Sequence, residues 1–252
     1  MNKIKFGTDG WRAIIGQEYT TDNVARVSIA VANWLNEKYQ KPSVVIGHDC
    51  RFAGELFAET AAKVLASKGV LVKMSKGFVT TPMVSLGVVK EKTDLGVVIT
   101  ASHNPPSYNG YKLKGNFGGP LLQDDINDIE IRIPEFNSVD YVSISIEDLV
   151  NSGRLIYVDL EDIYCTHVKS SFDLNSIRNS KMNFAYDAMF GPGMNAMKKL
   201  LPKATFLHCD NNPGFLGVSP EPIHRNLLEF SNLMKENPID CGLATDGDAD
   251  RI

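Results

Sequence analysis

The sequence has few cysteines for its 252 residues, and they are widely separated. The four are Cys50, Cys165, Cys209 and Cys241, and no two of them form a CxxC pair. This excludes the spacing patterns that are typical of zinc sites and of disulfide frameworks. We therefore expect reduced thiols and a cytoplasmic protein.

The sequence also has neither a strong excess of positive or negative charge nor a long hydrophobic run. The formal net charge is −4, which gives no basic surface to attract nucleic acid. No apolar run approaches the roughly 20 residues that cross a membrane. The residues after Met1 do not resemble a signal peptide. The sequence therefore indicates neither a nucleic-acid partner nor a membrane partner.

The composition is that of a folded protein. Hydrophobic residues make up 43% of the chain and charged residues 22%, which are close to globular averages. A chain of 252 residues can bury a sizeable core, and this length favours two domains over one.

Strand-like and helix-like patterns alternate along the chain. Strands are predicted over 43–47, 70–74, 95–99, 182–186 and 204–208, and helices over 22–39, 55–68, 194–201 and 224–235. This alternation predicts an α/β protein with two tandem three-layer α/β/α domains, whose mixed sheets are mostly parallel. A polar stretch over 120–153 places the domain boundary near residue 150, which gives domains 1–150 and 151–252.

Residues 97–105, Val-Val-Ile-Thr-Ala-Ser-His-Asn-Pro, are the most informative stretch. The apolar run that ends at Ile99 is typical of a strand buried on both faces. Pro105 and Pro106 prevent a helix from starting at once. We therefore expect Ser102 on a tight polar loop at the carboxyl end of a buried strand, where open α/β sheets place their chemistry. The alternative is an ordinary turn that contains a Ser and a His.

A second informative stretch follows the apolar run 241–244. Three carboxylates alternate there with Gly and Ala, and an arginine follows them: Asp246, Asp248, Asp250 and Arg251. Carboxylates at this spacing can converge on one hard cation, and Mg²⁺ readily shares its oxygen shell with a phosphate. A calcium EF-hand is disfavoured because Arg251 stands where that loop requires Gly. The alternative is a solvated acidic turn, although an arginine beside three acids favours phosphate binding.

Four stretches together resemble the α-D-phosphohexomutases, the family that includes phosphoglucomutase and phosphomannomutase. Phe6–Arg12 (FGTDGWR) is similar to the family's N-terminal signature, and Thr100–Pro105 (TASHNP) to its phosphoserine loop. Asn109–Lys112 (NGYK) matches a pattern downstream of the serine, and Asp246–Arg251 (DGDADR) is similar to the metal loop. The four occur in the family's order. The resemblance implies that 1–150 is a domain with the phosphoserine loop and that 151–252 is a domain that ends in the metal loop.

The resemblance also implies that parts of such an enzyme are missing. Family members are usually much longer, with a sugar-recognition loop in a third domain and a phosphate-binding loop in a fourth. Neither loop has a counterpart here. We interpret the chain as the N-terminal half of such an enzyme, inactive alone. The loop that distinguishes glucose, mannose and amino-sugar phosphates lies in the missing half.

The activity that the resemblance implies is that of a phosphosugar mutase, an isomerase that moves phosphate between the 1- and 6-positions of a hexose. Phosphoserine at Ser102 would donate the phosphoryl group to a hexose phosphate. A hexose bisphosphate would serve as intermediate and activator. One Mg²⁺ would be held by Asp246, Asp248, Asp250 and an oxygen on Ser102.

The resemblance assigns further roles residue by residue. The catalytic residues would be Ser102, Lys112, His103 and Arg12. The substrate would be bound by Arg12, Arg251, His103, Asn104 and Lys112. Lys112 would be the general acid/base, and its alternative is a solvated surface lysine. The alternative for His103 is a structural role. Thr8, Asp9, Asp49 and Arg51 are expected to brace the site, and the alternative for Asp49 and Arg51 is a buried contact that only stabilises the first domain.

Two other functions are alternatives. A Ser-His pair suggests a hydrolase, but the Gly-x-Ser-x-Gly elbow is absent, and adjacent loop residues normally point in different directions. The other alternative is a fragment that binds metal and phosphate, or an interaction module, without catalysis. Turnover of a sugar phosphate would distinguish an enzyme from a binding module.

Overall fold

The structure of the protein is a computed structural model, and it describes residues 3–252. Over this range the chain forms one sheet of six strands and one of three. No helix within residues 3–252 combines the length and the apolar composition that a membrane crossing requires.

The first sheet and most of its helices come from the first 158 residues. In chain order the elements are β1 (Trp11–Ile14), α1 (Thr21–Lys38), β2 (Ser43–His48), α2 (Gly54–Ser67), β3 (Leu71–Ser75), α3 (Thr81–Glu91), β4 (Leu95–Ile99), β5 (Tyr108–Gly115), α4 (Gln123–Ile131), α5 (Ile146–Asn151) and β6 (Leu155–Val158). The strand order is β1-β5-β4-β2-β3-β6. Strands β2, β3, β4 and β6 are parallel, whereas β5 is antiparallel to both β4 and β1.

Both faces of this sheet are covered by helices. Val44 and Ile46 of β2 belong to the core under α1 and α2, whereas Val45 belongs to the core under α3. Side chains of a strand alternate between the two faces of a sheet, so a continuous apolar run such as β2 is buried on both sides. The prediction of a three-layer, mostly parallel and mixed sheet is confirmed.

The second sheet is smaller and entirely parallel, in the order β8-β7-β9. Its part of the chain contains α6 (Leu160–Ser171), α7 (Leu174–Arg178), β7 (Phe184–Asp187), α8 (Gly193–Leu200), β8 (Thr205–Leu207), α9 (Leu228–Glu236) and β9 (Cys241–Ala244). The helix predicted over 224–235 is a short 3₁₀ turn followed by α9. They are separate because Leu227 leaves the helical conformation, with φ of −105° and ψ of 16°.

The pairing of β6 bears on the domain boundary expected near residue 150. β6 pairs in parallel with β3, from Leu155 opposite Val72 to Val158 opposite Ser75. A division at residue 150 would separate β6 from its own sheet, so we propose that the division follows Val158. Helix α6 then joins the two parts, because it packs against both α3 and α8.

Three strand ends lead into one region. β2 ends before Asp49 and Arg51, β4 ends before Thr100–Pro105, and β9 ends before Asp246–Arg251. We call Thr100–Pro105 the serine loop and Asp246–Arg251 the acidic loop. The carboxyl ends of parallel strands are where α/β sheets bind ligands.

Candidate active site

Ser102 has a left-handed backbone, with φ of 51°. A residue with a side chain adopts this conformation at a cost of about 1–3 kcal/mol, so its neighbours must hold it there. Ser102 N donates to Thr100 Oγ1 at 2.9 Å, and Thr100 Oγ1 donates to Asp49 Oδ2 at 2.5 Å. The side chain of Ser102 is fully buried. The hydroxyl therefore has a fixed direction.

Arg51 holds the remainder of the serine loop. Its guanidinium donates to four backbone carbonyls, those of Ser102 (2.6 Å), Asn104 (2.7 Å), Pro105 (2.9 Å) and Tyr108 (3.0 Å). Burial lowers the pKa of Arg51, whereas the carboxylate of Asp49 raises it. Charge-assisted hydrogen bonds compensate for burying this cation. These contacts support the expectation that Asp49 and Arg51 brace the site.

The acidic loop brings its three carboxylates together. Asp246, Asp248 and Asp250 each offer one oxygen, and these oxygens lie within 4.8 Å of one another. Ser102 Oγ donates to Asp246 Oδ2 at 2.6 Å. This contact brings the serine loop against the acidic loop.

Lys112 is the counterion of the acidic cluster. Its Nζ lies 2.7 Å from Asp248 Oδ2, 2.7 Å from Asp9 Oδ2 and 3.2 Å from Asp250 Oδ2. Burial lowers the pKa of Lys112, but the attraction of Asp248, Asp9 and Asp250 outweighs burial and raises this pKa above its ordinary range. Because the side chain is only 1% exposed, Lys112 is a buried cation, not a solvated surface lysine.

Asp246 and Asp248 differ in acidity although they are neighbours. Burial, followed by repulsion from Asp248, raises the pKa of Asp246 to about 7. Burial also acts to raise the pKa of Asp248, but Lys112 and hydrogen bonds, including one from Thr81, lower it to about 2. At neutral pH Asp248 is therefore ionised, and Asp246 is poised to lose its proton.

The donor set of the acidic loop fits a hard divalent cation. Asp248 Oδ1 is buried and has no hydrogen-bond partner within residues 3–252. A buried carboxylate oxygen without a partner needs an explanation, and an ion is one. Asp246 and Asp250 supply further carboxylate oxygens beside it, the ligand type that Mg²⁺ prefers.

Arg12 is connected to the same cluster from β1. Its Nη1 donates to Asn104 Oδ1 at 2.7 Å, and its Nη2 pairs with Asp9 Oδ2 at 2.9 Å. Asp9 Oδ2 also pairs with Lys112. Asp9 therefore links the Arg12 guanidinium to the Lys112 ammonium, in agreement with its expected bracing role.

His103 and Arg251 lie on the more exposed side of Ser102. Arg251 Nη1 donates to His103 Nδ1 at 2.9 Å, and Ser102 Oγ lies 3.5 Å from the same nitrogen. Burial, followed by the positive charges of Arg251 and Arg12, lowers the pKa of His103. The ring is therefore neutral at pH 7. The site residues expected from the sequence are thus brought into one connected region.

The structure adds Thr81 to the site, although sequence analysis assigned this residue no chemical role. Thr81 begins α3, and it donates to Asp248 twice: from its N to the backbone O at 3.0 Å and from its Oγ1 to Oδ2 at 2.6 Å. Thr80 caps this helix, and Pro82 stands in its first turn. A Thr-Thr-Pro run predicts a helix start. This run is the feature of the sequence that could have drawn attention to Thr81.

The contacts of His103 do not support a serine hydrolase. The Ser102 hydroxyl donates to Asp246 at 2.6 Å, while the His103 ring is 3.5 Å away. Within residues 3–252 no carboxylate hydrogen-bonds to the His103 ring. A catalytic triad requires such an acid to orient the histidine.

Gly247 is expected to tolerate no side chain. A Cβ at this position would lie 2.4 Å from Ser102 O and 2.7 Å from Pro220 Cγ. Gly247→Ala is therefore expected to lower the free energy of unfolding by about 1–3 kcal/mol, as overpacking does. Urea denaturation measures the change.

The matched control for this substitution is Gly77→Ala. Apart from Gly77 itself and its two chain neighbours, no heavy atom of residues 3–252 lies within 4 Å of a Cβ at this position. We expect the control to unfold as the unmodified chain does. If both variants had the same free energy of unfolding, the serine loop and the acidic loop would be able to move apart at Gly247 without loss of stability.

Comparison with known proteins agrees with this geometry. Residues 3–139 match the family described as phosphoglucomutase/phosphomannomutase, alpha/beta/alpha domain I, and residues 162–252 match domain II of that family. A phosphoglucomutase of Staphylococcus haemolyticus is 29% identical over 99% of this chain and 48% of its own length. A phosphoglucomutase/phosphomannomutase of Thermococcus kodakarensis is 32% identical over 100% of this chain and 54% of its own.

A solved structure gives the same result. It is that of a provisionally assigned phosphomannomutase from Thermus thermophilus, with a TM-score of 0.87 and 33% identity. The match covers 99% of this chain and 56% of the other. The chain thus spans about half the length of the curated relatives it matches.

Proposed function

The chain belongs to the phosphoglucomutase/phosphomannomutase family, and from this premise we propose that it is the phosphoserine- and metal-bearing half of a phosphosugar mutase. Such an isomerase moves phosphate between the 1- and 6-positions of a hexose. One observation carries the proposal. The Ser102 hydroxyl lies 2.6 Å from Asp246 Oδ2, in a buried carboxylate cluster whose counterion is Lys112.

In the proposed reaction, Ser102 Oγ exchanges a phosphoryl group with a sugar hydroxyl. The bond from phosphorus to Ser102 Oγ breaks, the bond to the sugar oxygen forms, and the proton of the sugar hydroxyl ends on Ser102 Oγ. The product is a hexose bisphosphate, and return of its other phosphate to Ser102 releases the isomer. The hydrogen bond to Asp246 supports this scheme, because it holds the hydroxyl that remains once the phosphoryl group has left.

We propose that Asp246, Asp248 and Asp250 hold one Mg²⁺ together with an oxygen on Ser102. When bound, magnesium neutralises negative charge on the transferring group. The convergence of the three carboxylates and the unpartnered Asp248 Oδ1 support this assignment.

Lys112 is proposed as the general acid/base of the site, held in its acid form. Three carboxylates raise its pKa and keep its ammonium protonated. This weakens Lys112 as a proton donor, so its main contribution is the positive charge that it offers to a phosphate. Phosphoryl transfer depends mainly on position and charge neutralisation. A buried cation held 2.7 Å from Asp248, in the same carboxylate cluster as Asp246, serves both.

The remaining residues are proposed to bind the substrate. Arg12 and Arg251 would hold phosphate oxygens, a task that suits the planar guanidinium fork. Arg251 is half-exposed, which leaves it accessible to a ligand. Asn104 and the neutral ring of His103 would hydrogen-bond to the sugar.

The test of this function is interconversion of hexose 1-phosphate and hexose 6-phosphate, with a hexose bisphosphate as activator. We expect no turnover by the 252-residue chain and turnover by a longer form, such as a fusion to the remaining domains of the Thermococcus kodakarensis relative. Absence of turnover with each hexose phosphate in the longer form would contradict the proposal. Binding of magnesium and sugar phosphate without turnover would then favour a binding fragment or interaction module.

The raised pKa of Asp246 makes a prediction about pH. A carboxylate must lose its proton to bind a cation, and burial raises the pKa of Asp246 to about 7. Magnesium affinity is therefore expected to fall as pH decreases from 8 to 6, by about tenfold per unit below the pKa. Titration calorimetry in two buffers of different ionisation enthalpy would detect the released proton at pH 6.

The control for this prediction is Asp246→Asn. It removes the titrating group, so the proton release at pH 6 should disappear while weaker binding remains. Equal magnesium affinities of the unmodified chain at pH 6 and pH 8 would mean that Asp246 does not ligate the ion.

A further inference from the structure

The loop between β8 and α9 places one aromatic ring in the interior. We call Asp210–Pro220 the bridging loop. Phe215 is 2% exposed, whereas its neighbour Leu216 is 70% exposed. Both have left-handed backbones, with φ of 47° and 50°. Such strain persists where the surroundings impose it, and it often marks a functional position.

The Phe215 ring covers the guanidinium of Arg51. Arg51 Cζ lies 5.2 Å from the ring centroid, within the range of a cation–π interaction. Nη1 and Nη2 of this guanidinium donate to four carbonyls of the serine loop and its continuation, whereas Nε is buried and has no hydrogen-bond partner within residues 3–252. The Phe215 ring therefore meets a cation whose two terminal nitrogens are committed to the chain around Ser102.

The ring lies outside the main hydrophobic cores. Phe215 is not a member of the hydrophobic clusters formed within residues 3–252. Phe215 lines a cavity of 130 Å³, and its ring contacts Arg51. The contact is thus between an aromatic face and a buried cation.

The bridging loop also contacts the acidic loop. Gly247 N donates to Pro220 O at 3.0 Å. Pro220 is the last residue of the bridging loop, five positions after Phe215. One segment therefore contacts both loops of the site: the serine loop through Arg51, and the acidic loop through Gly247.

We infer that Phe215 is a positioning residue for the serine loop. Its ring excludes water from the guanidinium face of Arg51, so that Arg51 keeps its hydrogen bonds to the carbonyls that orient Ser102. The consequence for phosphoryl transfer rests on the function proposed above. The consequence for the conformation of the serine loop does not.

The test compares Phe215→Leu with Phe215→Tyr by hydrogen exchange of the 252-residue chain. Leu keeps an apolar side chain without an aromatic face, and Tyr keeps the ring. In the Leu variant we expect amide exchange in peptides over 100–109 to accelerate about tenfold. Peptides over α9 and β9 should exchange as in the unmodified chain. The Tyr variant should match the unmodified chain throughout. Leu216→Ala is the matched control at the exposed neighbour.

Three results would overturn the inference. The first is that amide exchange over 100–109 is unchanged in the Leu variant. The second is that exchange in the Leu variant accelerates as much in α9 and β9 as over 100–109, and the third is that the Leu and Tyr variants accelerate exchange over 100–109 equally. If the Leu variant does not fold, Phe215→Met takes its place, because an unbranched side chain adapts to irregular space.

Phosphate labelling of Ser102 from a hexose bisphosphate separates this inference from the proposed function. If the unmodified chain is not labelled but the exchange difference is present, the positioning role stands, whatever the turnover test of the longer form shows about the proposed function. If the unmodified chain is labelled, the Leu variant should label about tenfold more slowly and the Tyr variant at the normal rate. A normal labelling rate for the Leu variant would also overturn the inference.

Discussion

Replacing Ser102 with alanine is expected to abolish phosphate incorporation from a hexose bisphosphate. The substitution removes the oxygen that would bond to phosphorus, and alanine can keep the left-handed backbone at the same cost as serine. The hydrogen bonds of Arg51 to the serine loop involve backbone carbonyls, so they persist in the variant. Intact-mass measurement after incubation with the bisphosphate detects the label.

Ser107→Ala is the matched control for this prediction. Ser107 lies close to the serine loop but is exposed, so its loss should leave labelling unchanged. Labelling of the Ser102→Ala variant to the same extent as the unmodified chain would refute a phosphoserine at this position. Labelling lost in both variants would indicate damage to the loop instead.

The placement of the serine and acidic loops at sheet edges follows from the sequence for a physical reason. Each loop is polar and comes directly after a continuous apolar run, which predicts a buried parallel strand. The carboxyl ends of parallel strands lie at one edge of a sheet. The two loops follow strands of different sheets, so this rule places each loop at a sheet edge but does not bring the two edges together. Only the resemblance, which implies one Mg²⁺ shared by Ser102 and the three aspartates, predicted that they meet, and Ser102 contacts Asp246.

The environment of Lys112 could not be predicted in this way. Its strand, β5, reads Tyr-Asn-Gly-Tyr-Lys-Leu-Lys-Gly and lacks the alternation or apolar run of an ordinary strand. Antiparallel pairing with β4 and β1 nevertheless buries almost the whole of it. Tertiary pairing, which single-sequence propensity does not encode, therefore decides whether Lys112 is solvated or buried among carboxylates.

The position of β6 escaped prediction for a related reason. Leu155–Val158 is a four-residue strand at the edge of the first sheet, with two exposed side chains among the four. It is identified as a strand by its partner β3 rather than by its own pattern. A boundary read from polarity at residue 150 therefore fell just before the last strand of the sheet.

Phosphorylation of Ser102 is expected to raise the magnesium affinity of the chain by on the order of tenfold or more. In the unphosphorylated chain, Lys112 neutralises Asp248, and Asp246 accepts the Ser102 hydroxyl. A cation must therefore compete with an ammonium for its ligands. A phosphate on Ser102 adds nearly two negative charges and three acceptor oxygens at the same place. Titration calorimetry on the two forms measures the difference.

The Lys112→Met variant distinguishes two reasons for weak magnesium binding by the unphosphorylated chain: competition from the Lys112 ammonium, and the lack of a phosphate ligand. The variant removes the ammonium but adds no oxygen, so the unphosphorylated variant should bind magnesium more tightly than the unmodified chain. Phosphorylation should still increase the affinity of the variant, because the phosphate supplies a ligand as well as charge. Equal affinities for the phosphorylated and unphosphorylated forms of the unmodified chain would mean that Ser102 and the three aspartates do not share one ion. The acidic loop would then hold its cation apart from the transferring phosphate, and Lys112, Arg12 and Arg251 would be left to neutralise that phosphate.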